Sequence, residues 1–246
     1  MQIKSAALSL LGDREENQDR VVVVASDDAA LILAVDGLGG HADGARAAEL
    51  TSEIVQKKFD AESHPIFDPQ GFLHLAIGNA HDALIRFGKD FSVETRPRAT
   101  CTVCLVQDGS AYWGHVGDSR IYHLRGQQIQ DRSRDHSYVE TLLQEGLIEE
   151  SEIIDHPMRN FVDSCLGGNA WLPRMSITSN KPLESGDVML VCTDGFWSGL
   201  DDEKIAGLGA GDGELAEDLE ALGEIAVQAS APFSDNTSAA VLRWIS

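Results

Sequence analysis

The sequence is short of positive charge. Its 246 residues carry 19 Lys and Arg against 40 Asp and Glu, a formal net charge of −21 at pH 7. Phosphate backbones require clustered cations, which argues against nucleic acid as a partner. An anionic membrane surface is disfavoured for the same reason. Long apolar runs are also missing, and none approaches the roughly 18–20 residues of a membrane span. Met1-Gln2-Ile3-Lys4 opens neither a long apolar stretch nor a small-residue cleavage pattern. No secretory signal is therefore expected, and a cytoplasmic location is. Internal repeats and low-complexity tracts are absent. The hydrophobic fraction of 43% is enough to bury a core, so a folded domain over residues 1–246 is expected despite the charge.

Cysteine is scarce, and the four present do not form a disulfide scaffold. Cys101 and Cys104 have the spacing of a zinc or redox pair. They lie in Thr100-Cys101-Thr102-Val103-Cys104-Leu105-Val106, which reads as a strand. Side chains three apart on a strand point to opposite faces, so the two thiols are expected to be buried and structural. The histidines show no HxH or HExxH spacing, which argues against imidazole-held zinc. Gly37, Gly39 and Gly40 match neither a dinucleotide fingerprint nor a phosphate loop.

What is abundant is strand-length apolar runs: Val21–Ala25, Leu31–Val35, Thr100–Val106, Ala111–Val116, Ile121–Leu124, Val188–Cys192 and Ala239–Trp244. Tight polar links such as Gln107-Asp108-Gly109-Ser110 make several of them antiparallel neighbours. Helical stripes run through Ala47, Leu50 and Ile54, through Leu73 to Phe87, and through Leu215 to Ala229. Gly207–Gly213 reads as a loop before the third helix. The pattern predicts an α/β (α+β) layered domain dominated by antiparallel pairs. The stretch 136–168 is less periodic and more charged, and is expected to leave the core as a flap.

Aspartates sit at the ends of these runs. Asp36-Gly37 follows Leu31–Val35, Asp194-Gly195 follows Val188–Thr193, and Asp118 follows Gly114–Gly117. Asp19 precedes Val21–Ala25, and Asp235 precedes the last strand. Asp-Gly is ordinary turn chemistry, and each instance alone reads that way. Together they suggest carboxylates converging at buried strand ends. Too few cations lie near in sequence to pair them, so metal cations are the natural neutralisers. All-oxygen ligands select hard ions such as Mg²⁺ or Mn²⁺. Arg14 reads either as a partner of Glu15 or Glu16, or as a guanidinium fork on a phosphate beside the ions. His41 closes the glycine-rich loop and reads on its own as a helix N-terminal residue.

In this order the residues resemble the metal-dependent (type 2C) serine/threonine protein phosphatases, and among them the short stand-alone bacterial members. The matching blocks are Arg14–Asp19, Val35–His41, Val116–Arg120, Asp135-His136-Ser137, Cys165-Leu166-Gly167, Cys192–Gly195 and Asp235-Asn236. The resemblance implies a four-layer α/β/β/α sandwich with two central, mainly antiparallel sheets. It implies that Asp36 bridges two Mn²⁺ or Mg²⁺ ions, with the Gly37 carbonyl on one and Asp194 and Asp235 on the other. Asp118, with Asp194, would hold a third, weaker ion. Asp19 would orient water, and Arg14 would grip the substrate phosphate. Such a site hydrolyses phosphoserine and phosphothreonine in proteins with a hydroxide shared between ions roughly 3.5–4 Å apart. The implied substrates are phosphoproteins made by a bacterial Ser/Thr kinase, and the expected state is a monomer.

Three positions depart from the family pattern. Gln18 replaces an acidic residue. Leu38 stands where many eukaryotic relatives have a histidine proposed as general acid, which leaves water or His41 for that role. Ser164 replaces an arginine. Gln18 and Leu38 keep open a second reading, a catalytically weak phosphate-sensing regulatory module. A third, a metal-dependent nuclease, lacks a basic track.

Overall fold

The computed structural model describes residues 1–38, 43–153, 156–210 and 213–246. Among these residues, thirteen strands and six α-helices follow in order. β1 (Ile3–Leu10), β2 (Asp19–Ala25) and β3 (Ala29–Asp36) lead into α1 (Gly44–Asp60) and α2 (Pro69–Phe87). Next come β4 (Arg98–Ala99), β5 (Cys101–Gln107), β6 (Ser110–Val116), β7 (Arg120–Arg125), β8 (Gln128–Arg132) and α3 (Tyr138–Gln144). Short strands β9 (Leu166–Gly167), β10 (Ser176–Ile177) and β11 (Lys181–Pro182) precede β12 (Val188–Cys192). The chain ends with α4 (Asp194–Trp197), α5 (Asp202–Gly207), α6 (Leu215–Ser230) and β13 (Thr237–Trp244).

Two antiparallel sheets result. One has the order β1-β13-β12-β7-β8, the other β10-β6-β5-β3-β2, with β11 also on β6. The layering follows from period-two alternation in strands that are buried on both faces. In β3, Ala29, Leu31, Leu33 and Val35 pack with α1 and α2, whereas Ala30, Ile32 and Ala34 face the other sheet. In β12, Met189 and Val191 face between the sheets, while Val188, Leu190 and Cys192 pack with α5 and α6 through Ile205, Leu215 and Leu219. Three apolar layers therefore separate four structural layers, α/β/β/α, as the resemblance implies. Cys101 and Cys104 fall in different layers and are buried, as the strand alternation predicts.

The apolar runs named above coincide with strands, Thr100 alone lying just outside β5, and the three helical stripes are α1, α2 and α6. Six strands carry no such run: the two-residue β4, β9, β10 and β11, and the longer β1 and β8. β1 is an edge strand paired only with β13, so it is half-buried and alternates rather than running apolar. β8 is the polar opposite edge. Gly207 ends α5 instead of opening a loop, and Gly211 and Asp212 lie outside the described residues. Between His136 and Gly168 the chain forms α3 and returns through a Ser137–Val162 bridge, with the Asp163 N–H donating to the His136 carbonyl.

Leu33 is fully buried between β3 and the helices. Leu33→Ala should cost about 2–5 kcal/mol and lower the urea midpoint with an unchanged m-value. A midpoint equal to that of the wild type would contradict this core assignment.

Candidate metal centre

The two sheets bring the strand-end aspartates to one end of the sandwich. Asp19 and Asp36 are directly opposed in the β2–β3 register. Asp194 opens α4 immediately after β12, and Asp235 lies just before β13. Asp118 occupies the β6–β7 turn. Asp36, Asp118, Asp194 and Asp235, with Arg14, Gly37 and Gln18, line one cleft of about 860 Å³. Asp19 is buried behind it. His41 lies outside the described residues.

Local chemistry holds each group. Thr193 donates to Asp19 Oδ2 at 2.8 Å. The Asp36 N–H donates to Thr100 Oγ1 at 3.0 Å, and Thr100 Oγ1 lies 2.8 Å from Ser119 Oγ beside Asp118. Asn236 Oδ1 accepts from the Gln18 N–H at 2.8 Å and ties the start of β2 to the start of β13. The two Asp-Gly pairs are close-packing sites rather than simple turns. A Cβ on Gly37 would come within 2.1 Å of the Gly44 carbonyl oxygen, and one on Gly195 within 2.1 Å of the Asn236 carbonyl oxygen.

The Asp118 turn rests on residues whose roles are not legible in sequence. Arg120 is buried and donates from Nε to Asp135 Oδ1 at 2.9 Å and from Nη2 to Oδ2 at 2.8 Å. Its guanidinium lies 3.4 Å from the Trp197 ring centroid, and Trp197 Nε1 donates to the Asp118 carbonyl at 3.0 Å. Thus the cation two residues after Asp118 neutralises Asp135 instead. His136 stacks on His115 at 4.5 Å between centroids. Burial, then the neighbouring His115, pushes its pKa down to about 3.

Electrostatics mark the cleft. Burial, followed by the charges of Asp19, Asp194, Asp118 and Asp235, raises the Asp36 pKa well above the carboxylate range. Burial and then Asp194 do the same for Asp118. Burial raises Asp19 to about 8 and Asp194 to about 6. Arg14 reaches in from the rim. It turns to Asp235 rather than to Glu15 or Glu16, donating from Nε to Oδ1 at 2.8 Å and from Nη2 to Oδ2 at 2.7 Å. No three His, Cys, Asp or Glu side chains among the described residues are posed to clasp an ion. The donor set nevertheless fits a hard divalent cation. It is all oxygen, it is short of positive charge, and Asp118 Oδ1 is buried with no hydrogen-bond partner among the described residues.

Ser164, at the third departure, donates to the Arg174 carbonyl at 3.2 Å and lines a neighbouring groove. Leu38 lines the cleft wall and offers no titratable group.

The raised carboxylates have a consequence for stability. The folded, metal-free protein retains protons that the unfolded chain releases above the ordinary carboxylate pKa of 3.8. Stability in chelator should therefore fall as pH rises from about 4 to about 8 through these groups. Asp36→Asn should flatten that fall, and Mn²⁺ should raise the wild-type Tm more at pH 8 than at pH 5. Thermal melts across this range check it, and identical slopes for the two proteins would contradict it.

Residues 9–224 match the family Protein phosphatase 2C. The serine/threonine protein phosphatase PstP of Mycobacterium tuberculosis is 30% identical over 236 residues, covering 93% of this chain and 42% of its own length. The chain thus spans about two fifths of that relative. Protein phosphatase PhpP of Streptococcus pneumoniae is 27% identical over 221 residues, covering 87% of this chain and 89% of its own. The solved catalytic domain of PstP in complex with two manganese ions superposes with a TM-score of 0.81 at 27% identity, covering 99% of both chains. The chain belongs to the protein phosphatase 2C family.

Proposed function

We propose that the protein is a Mn²⁺- or Mg²⁺-dependent phosphatase of phosphoserine and phosphothreonine in proteins. The carrying observation is the convergence of Asp36, Asp118, Asp194 and Asp235 on one cleft with Arg14 at its wall. Family membership and the manganese-bound PstP domain support the same reading. Asp36, the Gly37 carbonyl, Asp194 and Asp235 would hold two ions, and Asp118 with Asp194 a third. Bound divalent ions lower the pKa of water and offset charge on a phosphoryl group.

The chain's own residues account for the rest. Asp19, held by Thr193, orients water from behind the cleft. Arg14 is 56% exposed and its guanidinium can turn from Asp235 to a phosphate, which it matches as a fork. Leu38 supplies no proton, so His41 or solvent protonates the leaving oxygen. Residues 136–168 form a flap over the cleft, to which Asn160, Phe161, Val162 and Cys165 contribute wall. The natural substrate is a phosphoprotein produced by a Ser/Thr kinase, met by a monomer in the cytoplasm. Among the described residues no helix is long and apolar enough to cross a membrane.

Phosphate release from a phosphothreonine peptide should require Mn²⁺ or Mg²⁺ and stop in excess chelator. Asp36→Ala should lower kcat by more than about a hundredfold. Full activity in chelator would sink the reading. Metal binding with no turnover of an aryl phosphate would favour the regulatory module. Arg14→Ala should lower kcat/KM by roughly ten- to a hundredfold, the worth of a charged hydrogen-bonded contact, and Arg14→Lys should restore it only in part.

A further inference from the structure

A second groove, of about 590 Å³, adjoins the cleft and shares Arg98, Phe161, Val162 and Cys165 with it as a common wall. Its lining includes large apolar side chains left in solvent. Trp171 is 79% exposed, Leu172 60%, and Val93 and Phe161 51% each. Four such groups around one concavity form a patch of the kind that marks a binding surface. The charge also differs from that of the cleft rim. Asp13, Glu15 and Glu16 line the cleft but not the groove, where Arg98 and Arg174 face one acid, Asp163.

The occupant follows from the shared wall. A phosphorylated side chain seated in the cleft has main chain running away on both sides, and one exit passes Arg98 and Phe161 into the groove. A second copy of this chain brings a further −21 and is repelled, and an anionic membrane likewise. Resting on the phosphatase reading above, we propose that the groove takes a substrate residue flanking the phosphorylated side chain and selects a large apolar one, with Trp171 and Leu172 as the specificity-determining contacts.

The test uses phosphothreonine peptides that differ only in carrying Leu, Phe or Ser at one position within four residues of the phosphosite. Leu or Phe at one such position should raise kcat/KM about tenfold over Ser, mainly through KM. Trp171→Ala and Leu172→Ser should each shrink that preference and leave hydrolysis of p-nitrophenyl phosphate unchanged. Both side chains are exposed, so neither change removes core packing. Equal rates for all peptides, or an undiminished preference in both variants, would overturn the proposal. A wild type that fails on p-nitrophenyl phosphate would instead sink the phosphatase reading. The groove is then judged by fluorescence anisotropy, where weaker binding of the Leu peptide to Trp171→Ala supports it and equal binding overturns it. A dimer that Trp171→Ala dissolves in sedimentation would assign the groove to a second copy and overturn it too.

Discussion

The structure depends on one constraint, the crowding of carboxylates where water is scarce. Asp19, Asp36, Asp118 and Asp194 all hold their protons more tightly than an ordinary aspartate, and burial is the leading cause for each. Charge of one sign in a low-dielectric site is costly unless it is neutralised. The two arginines bonded nearby do not meet the need, because Arg120 is engaged with Asp135 and Arg14 with Asp235. The cluster is therefore a standing demand for positive charge. The rest of the fold holds it in place: antiparallel pairing fixes Asp19 against Asp36, and β12 and β13 lie side by side to bring Asp194 and Asp235 to the same end.

The same constraint decides which parts are legible in sequence. Central strands such as β3 and β12 are buried on both faces, so they read as continuous apolar runs. The aspartates ending those runs are conspicuous because polar residues interrupt them abruptly. β1 carries a weaker signal because it is an edge strand, in which Ala6 and Leu8 pack against the core between exposed neighbours. Its pattern is alternation, present but short. The glycines after Asp36 and Asp194 are visible, but their reason is not. Close approach of Gly44 and Asn236 is a tertiary fact that no local pattern encodes. Partner choice is hidden likewise: Arg14 meets Asp235 and Arg120 meets Asp135, across 221 and 15 residues of chain.

The net charge of −21 then divides into parts with different physics. Two or three divalent ions would offset four or six of those charges, a share that composition does not reveal. What remains includes Asp13, Glu15 and Glu16 on the cleft rim, where the field would attract basic segments of a proposed substrate and weaken with salt. The adjoining groove offers the opposite chemistry, apolar side chains between Arg98 and Arg174. Should both proposals hold, a substrate that satisfies both surfaces would carry an asymmetric flank, basic toward the rim and apolar toward the groove.

Arg14 connects these surfaces to the carboxylate cluster. Arg14 spends its Nε–Nη2 edge on Asp235, and that edge cannot bind Asp235 and a phosphate bidentately at once. In this structure that edge belongs to Asp235, whose charge it offsets. A cation beside Asp235 would take over that offset and weaken the attraction holding Arg14 there. If the protein acts as proposed, neutralising the cluster would free this edge of Arg14 for a phosphate. On that reading, binding of positive charge and readiness for a phosphorylated substrate would be coupled through a single exposed side chain, with no rearrangement of the strands required.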